Sequence, residues 1–338
     1  MSTAPADTTT TDRTDSQPAS PTTSGAAGEA ALPMVLTTVE AVEVTRLSPS
    51  YVRVCFAGDL ADLGVDGPWL DQRIKLVLPE EHGVVPSVEG VGADWYAGWR
   101  ALPPEQRGHM RTYTVRDVQG YGADTRLVVD FVVHEDGLAG PGGGWALRAR
   151  PGMRIVLVAP RRGVPFGGIE FTPGAATSLL LVGDETAVPA VAGILAGLGC
   201  AVTGTAFLEV PDALDIQDLP APPGVEVRWL VRGHRDVGAR LVPAVRECLG
   251  LPASAPGDDH VEVDPDLWET PAFSSSGEEV ATQAHNPASG PLDGVFAWIA
   301  GESTMVTRLR RALVREVGVD RRQVAFMGYW RRGVAMQS

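Results

Sequence analysis

Apolar and polar positions alternate along the first half of the chain, and the alternation stops near residue 173. Val35 to Glu43 and Tyr51 to Phe56 alternate on either side of Ser48-Pro49, which predicts an antiparallel hairpin. Gln72 to Leu78 predicts a third strand, ended by Pro79. Met110 to Arg116, Leu127 to His134 and Arg154 to Val158 predict three more, with Gly120-Tyr121-Gly122 as a turn. The stretch up to Pro104, which carries Trp95, Tyr96 and Trp99, reads as a loop, and no convincing helix interrupts the series. Short strands separated by turn signals describe a small antiparallel β-barrel over 33–172.

From 173 the period changes. Ser178 to Val182 is a continuous apolar strand, Gly183-Asp184-Glu185-Thr186 a turn, and Ala187 to Leu198 a helix with Pro189 in its first turn and Gly199 at its end. Strands at Val202 to Leu208, Val225 to Leu230, Val295 to Ile299 and Gln323 to Met327 follow, with helices at Val237 to Leu249 and Thr304 to Val317. Buried-type strands alternating with helices predict an α/β domain over 173–338, a parallel sheet covered on both faces. In such sheets ligands bind beyond the carboxyl ends of the strands, where Gly183–Thr186, Gly301-Glu302 and Gly328–Trp330 fall. The first turn lacks Gly-x-Gly-x-x-Gly, and a helix cap is the plain role for Asp184. Residues 252–291, rich in Ser, Gly, Pro and acids, read as a surface excursion anchored by Trp268.

Composition narrows the function. A chain of 338 residues, 44% hydrophobic, can bury two cores, so two domains are expected. Its net charge of -14 argues against nucleic acid, and an anionic ligand must meet a local basic site. Cys55, Cys200 and Cys248 lie far apart with no Cys-x-x-Cys pair, which indicates neither an iron–sulfur cluster nor a metal site. Residues 1–32 lack the apolar core of a signal peptide, and no later run is long enough to span a bilayer. The expectation is a cytoplasmic protein with a disordered tail. Lys75 is the only lysine, so this strand position is a candidate for a compact cation, with chance as the alternative.

The chemistry gathers at Met110–Arg116. Strand geometry sends Arg111 and Tyr113 to one face and Thr112 and Thr114 to the other. A guanidinium offers forked donors to phosphate, a phenol ring an apolar face, and a nearby hydroxyl a hydrogen bond to a ring nitrogen, which together suit a planar phosphorylated cofactor. An ordinary half-exposed strand explains the tetrapeptide equally well. The glycines of Asp136 to Ala146 open a second possibility, a phosphate cradle at the start of a short helix, against a plain surface loop. Glu209, at the end of the second strand of the parallel sheet, is placed to accept from a ribose hydroxyl and so to favour NADH. Arg232 and Arg235, after the next strand, are placed to reverse that preference.

Taken in order, Asp71–Leu76, Arg111–Arg116, Asp130 to His134 with Gly140-Pro141 and Trp145-Ala146, Gly183–Ala187, Ala300–Glu302 and Gly328–Arg331 resemble the siderophore-interacting proteins. These are NAD(P)H-dependent ferric-siderophore reductases that pair a flavin-binding barrel with a ferredoxin-reductase-type nucleotide domain. The long tail, the 252–291 excursion and the three consecutive glycines depart from the family pattern. The resemblance implies that Arg111 holds the FAD pyrophosphate, Tyr113 stacks on the isoalloxazine, and Thr114, with Thr112 beside it, hydrogen-bonds near the reactive nitrogen. It implies that Asp130, Val132, His134, Gly140, Gly142, Gly143, Gly144 and Trp145 complete the flavin site, although a strand-end histidine serves equally as a structural residue. It further implies that Gly183, Asp184, Glu185, Thr186 and Ala187 receive NADH or NADPH, with Gly301 and Glu302 near the nicotinamide. Lys75, Trp330, Arg331 and Arg332 would meet an anionic ferric siderophore, the two arginines being otherwise a solvated tail. No protein partner is then required. A flavin reductase serving a protein partner and a non-catalytic siderophore-binding protein are the two rival readings.

Overall fold

The computed structural model describes residues 32–81, 83–88, 91–133, 140–254, 268–269 and 292–333. The N-terminal tail, His134 and most of the 252–291 excursion lie outside the described residues. Seven strands form the first sheet: β1 (Met34–Ser48), β2 (Tyr51–Gly58), β3 (Arg73–Leu78), β4 (His109–Thr114), β5 (Asp117–Gln119), β6 (Arg126–Val132) and β7 (Arg154–Pro160). Their order is β4-β3-β7-β1-β2-β6-β5, with every pairing antiparallel. Just past β4, the Arg116 N–H donates to the Val128 carbonyl at 2.9 Å, so the sheet curls round into a half-barrel.

Alternation fills the barrel. Val39, Val54, Phe56, Leu76, Phe131 and Leu157 point inward and are fully buried. The structure corrects the loop expected before β4: two short helices occur there, α1 (Trp95–Ala101) and α2 (Pro104–Arg107). Trp95 and Trp99 pack on Val77, Met110 and Val156, apolar residues on the outer face of the sheet that would otherwise meet water. A third helix, α3 (Pro141–Arg148), again contrary to an all-strand barrel, lays Trp145 into the interior.

The second sheet contains β8 (Ser178–Gly183), β9 (Thr203–Val210), β10 (Val225–Val231), β11 (Trp268–Glu269), β12 (Val295–Glu302) and β13 (Val324–Trp330) in the order β10-β9-β8-β12-β13-β11. All pairs are parallel except β11 with β13. The helix α4 (Val188–Gly197) covers one face, and α5 (Leu241–Cys248) with α6 (Ser303–Arg310) covers the other. From β8 the chain winds out to β10 and returns to β12 on the other side. The strand order therefore reverses between β8 and β12, the position where open parallel sheets form a ligand crevice. No helix of the described residues is long and apolar enough to cross a membrane.

Buried polar contacts lock the two sheets together. Asp71 accepts from the Trp298 indole at 2.9 Å and from the Glu170 and Phe171 amides. Asp215 accepts from the Ser48 hydroxyl and from both the amide and the hydroxyl of Ser50. The Tyr51 hydroxyl donates to the Glu185 carbonyl at 2.8 Å. Helix α4 approaches so closely that a Cβ on Gly193 would overlap the Leu70 carbonyl oxygen.

Candidate active site

On β4 the pleat places Arg111 and Tyr113 on one face, opposite Leu76 and Ile74 of β3. The Tyr113 ring lies 4.4 Å from that of Phe131, and burial pushes its phenol well above the ordinary range. Arg111 is half-buried, and burial lowers its pKa. Its guanidinium donates to the Met110 carbonyl at 2.7 Å and forms no ion pair among the described residues. A desolvated cation without a counter-charge is costly, and an anionic ligand removes that cost.

Helix α3 supplies the complementary half. Gly140 precedes it without a side-chain cap and Pro141 opens it, so the N–H groups of Gly142 and Gly143 have no intrahelical acceptor, while that of Gly144 donates to the Gly140 carbonyl at 2.9 Å. A Cβ on Gly142 would overlap the Tyr113 hydroxyl, so glycine there is what lets the first turn rest on the tyrosine. The contact brings the helix N-terminus, with Gly143 and Gly144, over the face of β4 that carries Arg111. The spacing of Arg111 and Tyr113 on one strand made their shared face legible; the packing of Gly142 on Tyr113 has no local signal.

Other predicted flavin residues are engaged elsewhere. Asp130 accepts two hydrogen bonds from Arg53, at 2.7 and 2.8 Å, and lies 3.5 Å from Arg116. The physical reason is the pleat: Phe131 takes the Tyr113 side of β6, which sends Asp130 to the other face. Trp145 is a core residue, 1% exposed and stacked 6.0 Å from Phe56. Burying so large a ring contributes roughly 1.5–3 kcal/mol to folding. Val132 packs against the parallel-sheet core.

Thr112 and Thr114 face away from Arg111, together with Lys75 and Arg73 of β3. Lys75 donates to the Thr112 hydroxyl at 2.7 Å, and burial, with Arg73 beside it, lowers its pKa. Arg73 forms an ion pair with Glu170.

At the strand-order reversal the organising residue is Asp184, with no exposed surface. Its Oδ1 accepts from the amide of Thr186 at 2.9 Å and from its hydroxyl at 2.5 Å. Its Oδ2 accepts from the Glu302 amide at 2.7 Å and from the Trp330 indole at 2.9 Å. Burial, with Glu185 beside it, pushes the carboxyl up to about 7. The expected capping role is not found: the helix starts at Val188, and the bonded Thr186 amide lies before it. Gly301, with φ of 143°, passes so near that a Cβ would stand 2.6 Å from Oδ2. Gly183 ends β8 against Ala187, completing the turn with Thr186.

Three predicted nucleotide contacts turn out to hold the fold. Glu209 is fully buried and accepts from the amides of Gly238, Arg240 and Leu241 at 2.6, 2.8 and 3.0 Å, satisfying the donors at the start of α5. Arg232 is buried in a forked pair with Glu185, at 2.6 and 2.7 Å. The acid that argued for NADH and one of the arginines that argued against it are thus both occupied; Arg235 is exposed. Glu302 caps α6 by accepting from Thr304 and Met305. Trp330, the last residue of β13 and paired with Glu302 of β12, and Arg331 just after it are half-buried, and the exposed Arg332 pairs with Asp236. Glu185–Arg232 and Asp184–Trp330 join residues far apart in sequence, and no spacing announces such pairs.

Residues 176–333 match the model of the family described as siderophore-interacting protein, and 40–164 that of the siderophore-interacting FAD-binding domain. An uncharacterized protein of Mycobacterium tuberculosis, Rv2895c, is 35% identical over 87% of this chain and 89% of its own. The ferric vibriobactin reductase ViuB of Vibrio cholerae is 29% identical over 85% and 86%. The crystal structure of a siderophore utilization protein from T. fusca superposes with a TM-score of 0.63 at 30% identity, covering 91% of this chain and 97% of that one. An antiparallel half-barrel followed by a parallel sheet is the ferredoxin-reductase-like arrangement.

Proposed function

The chain belongs to the siderophore-interacting proteins, and from that premise we propose that it is an FAD-dependent ferric-siderophore reductase drawing electrons from NADH or NADPH. The barrel, over 33–172, is assigned to the flavin and the parallel sheet, over 173–338, to the nucleotide. One observation carries the reading: a half-buried Arg111 without a counter-charge, Tyr113 and the glycine-rich start of α3 meet on one side of the half-barrel. Forked donors, unpaired helix amides and a ring edge are the donor set that a dinucleotide flavin requires.

Arg111 and the first turn of α3, with Gly140, Gly142, Gly143 and Gly144, hold the pyrophosphate. Tyr113 orients the ring system, whereas the Thr114 side chain lies on the opposite face of β4 and is left out of this assignment. FAD, when bound, accepts a hydride and passes on single electrons, which is the conversion needed between a nicotinamide and ferric iron. The turn at Gly183, Thr186 and Ala187 and the backbone at Gly301 line the nucleotide crevice. Lys75, Arg331 and Arg332 face the chelate. Siderophore oxygens hold hard ferric iron tightly and ferrous iron less well, so reduction loosens the metal.

The substrate side is tested at Lys75. In the Lys75→Ala variant, KM for ferric citrate is expected to rise several-fold to about tenfold, the size of one charge contact in a partly desolvated site. The part of the difference that persists at high salt, where long-range steering is screened, reports the local contact. Flavin content stays unaltered, because Lys75 lies on the opposite face of the sheet from Arg111 and Tyr113. Unchanged kinetics with the anionic chelate would remove Lys75 from the substrate site.

A further inference from the structure

Asp184 was expected to contact the nucleotide, yet all four of its hydrogen bonds go to the protein, and they join the ends of three adjacent strands. The carboxylate sits after β8. Its Oδ2 holds the amide that follows Gly301 at the end of β12 and the indole at the end of β13. Pairing between β12 and β13 slips there, since Gly301 lies opposite Gly328 and Glu302 opposite Trp330, leaving Tyr329 as an extra residue. An extra residue of this kind re-aims the side chains around it and is common beside active sites. The Ser303 hydroxyl donates to the Trp330 carbonyl at 3.0 Å and fixes the backbone, and the indole N–H bond to Asp184 orients the ring.

Resting on the reductase reading, we propose that Asp184 is a positioning residue: by accepting the Trp330 indole N–H it holds that ring as a wall of the nucleotide crevice and thereby sets affinity for the nicotinamide nucleotide. The location supports this role, because the strand order reverses between β8 and β12 and Trp330 ends the strand next to β12. The chemistry of the two oxygens supports it too. Glu302 N–H and Trp330 N–H are obligate donors, so Oδ2 must remain an acceptor, whereas the Thr186 hydroxyl at Oδ1 can reverse its bond. An asparagine therefore keeps its oxygen towards Trp330 and turns its amide towards Thr186, losing one hydrogen bond rather than two.

Two measurements test the proposal. In FAD-loaded protein carrying 15N in its indoles, the resonance absent from Trp330→Phe identifies the Trp330 N–H. It is expected downfield and protected from exchange, retained in Asp184→Asn and lost or shifted in Asp184→Ala. Calorimetric titration with NADP+ and with NAD+ should then show, for the one that wild type binds more tightly, Kd raised about tenfold in Trp330→Phe, the size of one lost hydrogen bond to a charged group. Asp184→Asn should recover most of the loss seen in Asp184→Ala, and adding Trp330→Phe to Asp184→Ala should cost little more. Trp330→Phe tolerates exposure of its ring edge, so it keeps the test open if Asp184→Ala does not fold. Wild-type affinity in Trp330→Phe, or full additivity of the two changes, overturns the proposal. A wild type that binds no nicotinamide nucleotide sinks the reductase reading instead, and the indole resonance still reports whether Asp184 holds Trp330.

Discussion

Replacing Arg111 with alanine is expected to strip most of the FAD from the purified protein. A charge-assisted hydrogen bond contributes roughly 1.5–3 kcal/mol, so Kd for FAD should rise about ten- to hundredfold. The fold should tolerate the change, since the Arg111 side chain makes one backbone hydrogen bond, to Met110, and no ion pair among the described residues. Thermal unfolding of the flavin-free variant should therefore match flavin-free wild type, which separates a lost ligand contact from a damaged barrel. Arg111→Lys should fall between, because lysine keeps the charge and loses the fork that matches phosphate. The ratio of flavin absorbance to protein after desalting, and quenching of FAD fluorescence on titration, supply the numbers. Full occupancy in Arg111→Ala would show that the pyrophosphate lies elsewhere.

Gly142→Ala is expected to weaken both folding and flavin binding. The new methyl overlaps the Tyr113 hydroxyl, and the ring cannot swing aside freely because Phe131 lies 4.4 Å from it. Overpacking of this kind costs roughly 1–3 kcal/mol. Either α3 lifts, moving its amides from the Arg111 face, or the ring shifts from its place; both impair the site. Tyr113→Phe removes the overlapping oxygen and leaves the ring carbon 3.1 Å from the added Cβ, so the double variant should recover much of the lost stability. Denaturant unfolding of the two single variants and the double variant measures that recovery. Equal, additive losses would mean that α3 does not rest on Tyr113.

The fold was legible because its two periods are clean. Alternation from β1 to β7 and apolar runs at β8, β12 and β13 identify an antiparallel and a parallel sheet without further help. The helices α1 and α2 escaped because neither buries a residue fully and tertiary contacts, not local preference, set them; α3 was one of the two readings left open for the glycine-rich stretch. At the candidate site, alternation alone already put Arg111 and Tyr113 on one face of β4. The same alternation argues against Asp130, whose neighbour Phe131 takes the inward face.

Acidic and basic residues were ambiguous for a different reason. Glu209 and Arg232 stand where ribose-reading side chains stand in related sheets, but a carboxylate can equally satisfy the amides at a helix start, and an arginine can pair with Glu185. The sequence contains both possibilities, and only packing chooses between them. Asp184 shows the same ambiguity with the opposite outcome. Its carboxylate does not cap α4 and joins three strand ends.

Electron transfer from a nicotinamide nucleotide through FAD to chelated ferric iron, the proposed reaction, is read out by the visible spectrum of the FAD-loaded protein under nitrogen. Addition of NADPH or NADH should bleach the flavin absorbance near the visible maximum. Subsequent addition of a ferric siderophore, with a ferrous-specific chelator present, should restore the flavin colour while the ferrous complex appears. A protein that holds no FAD, or one whose flavin is bleached but never reoxidised by the ferric chelate, would contradict the account.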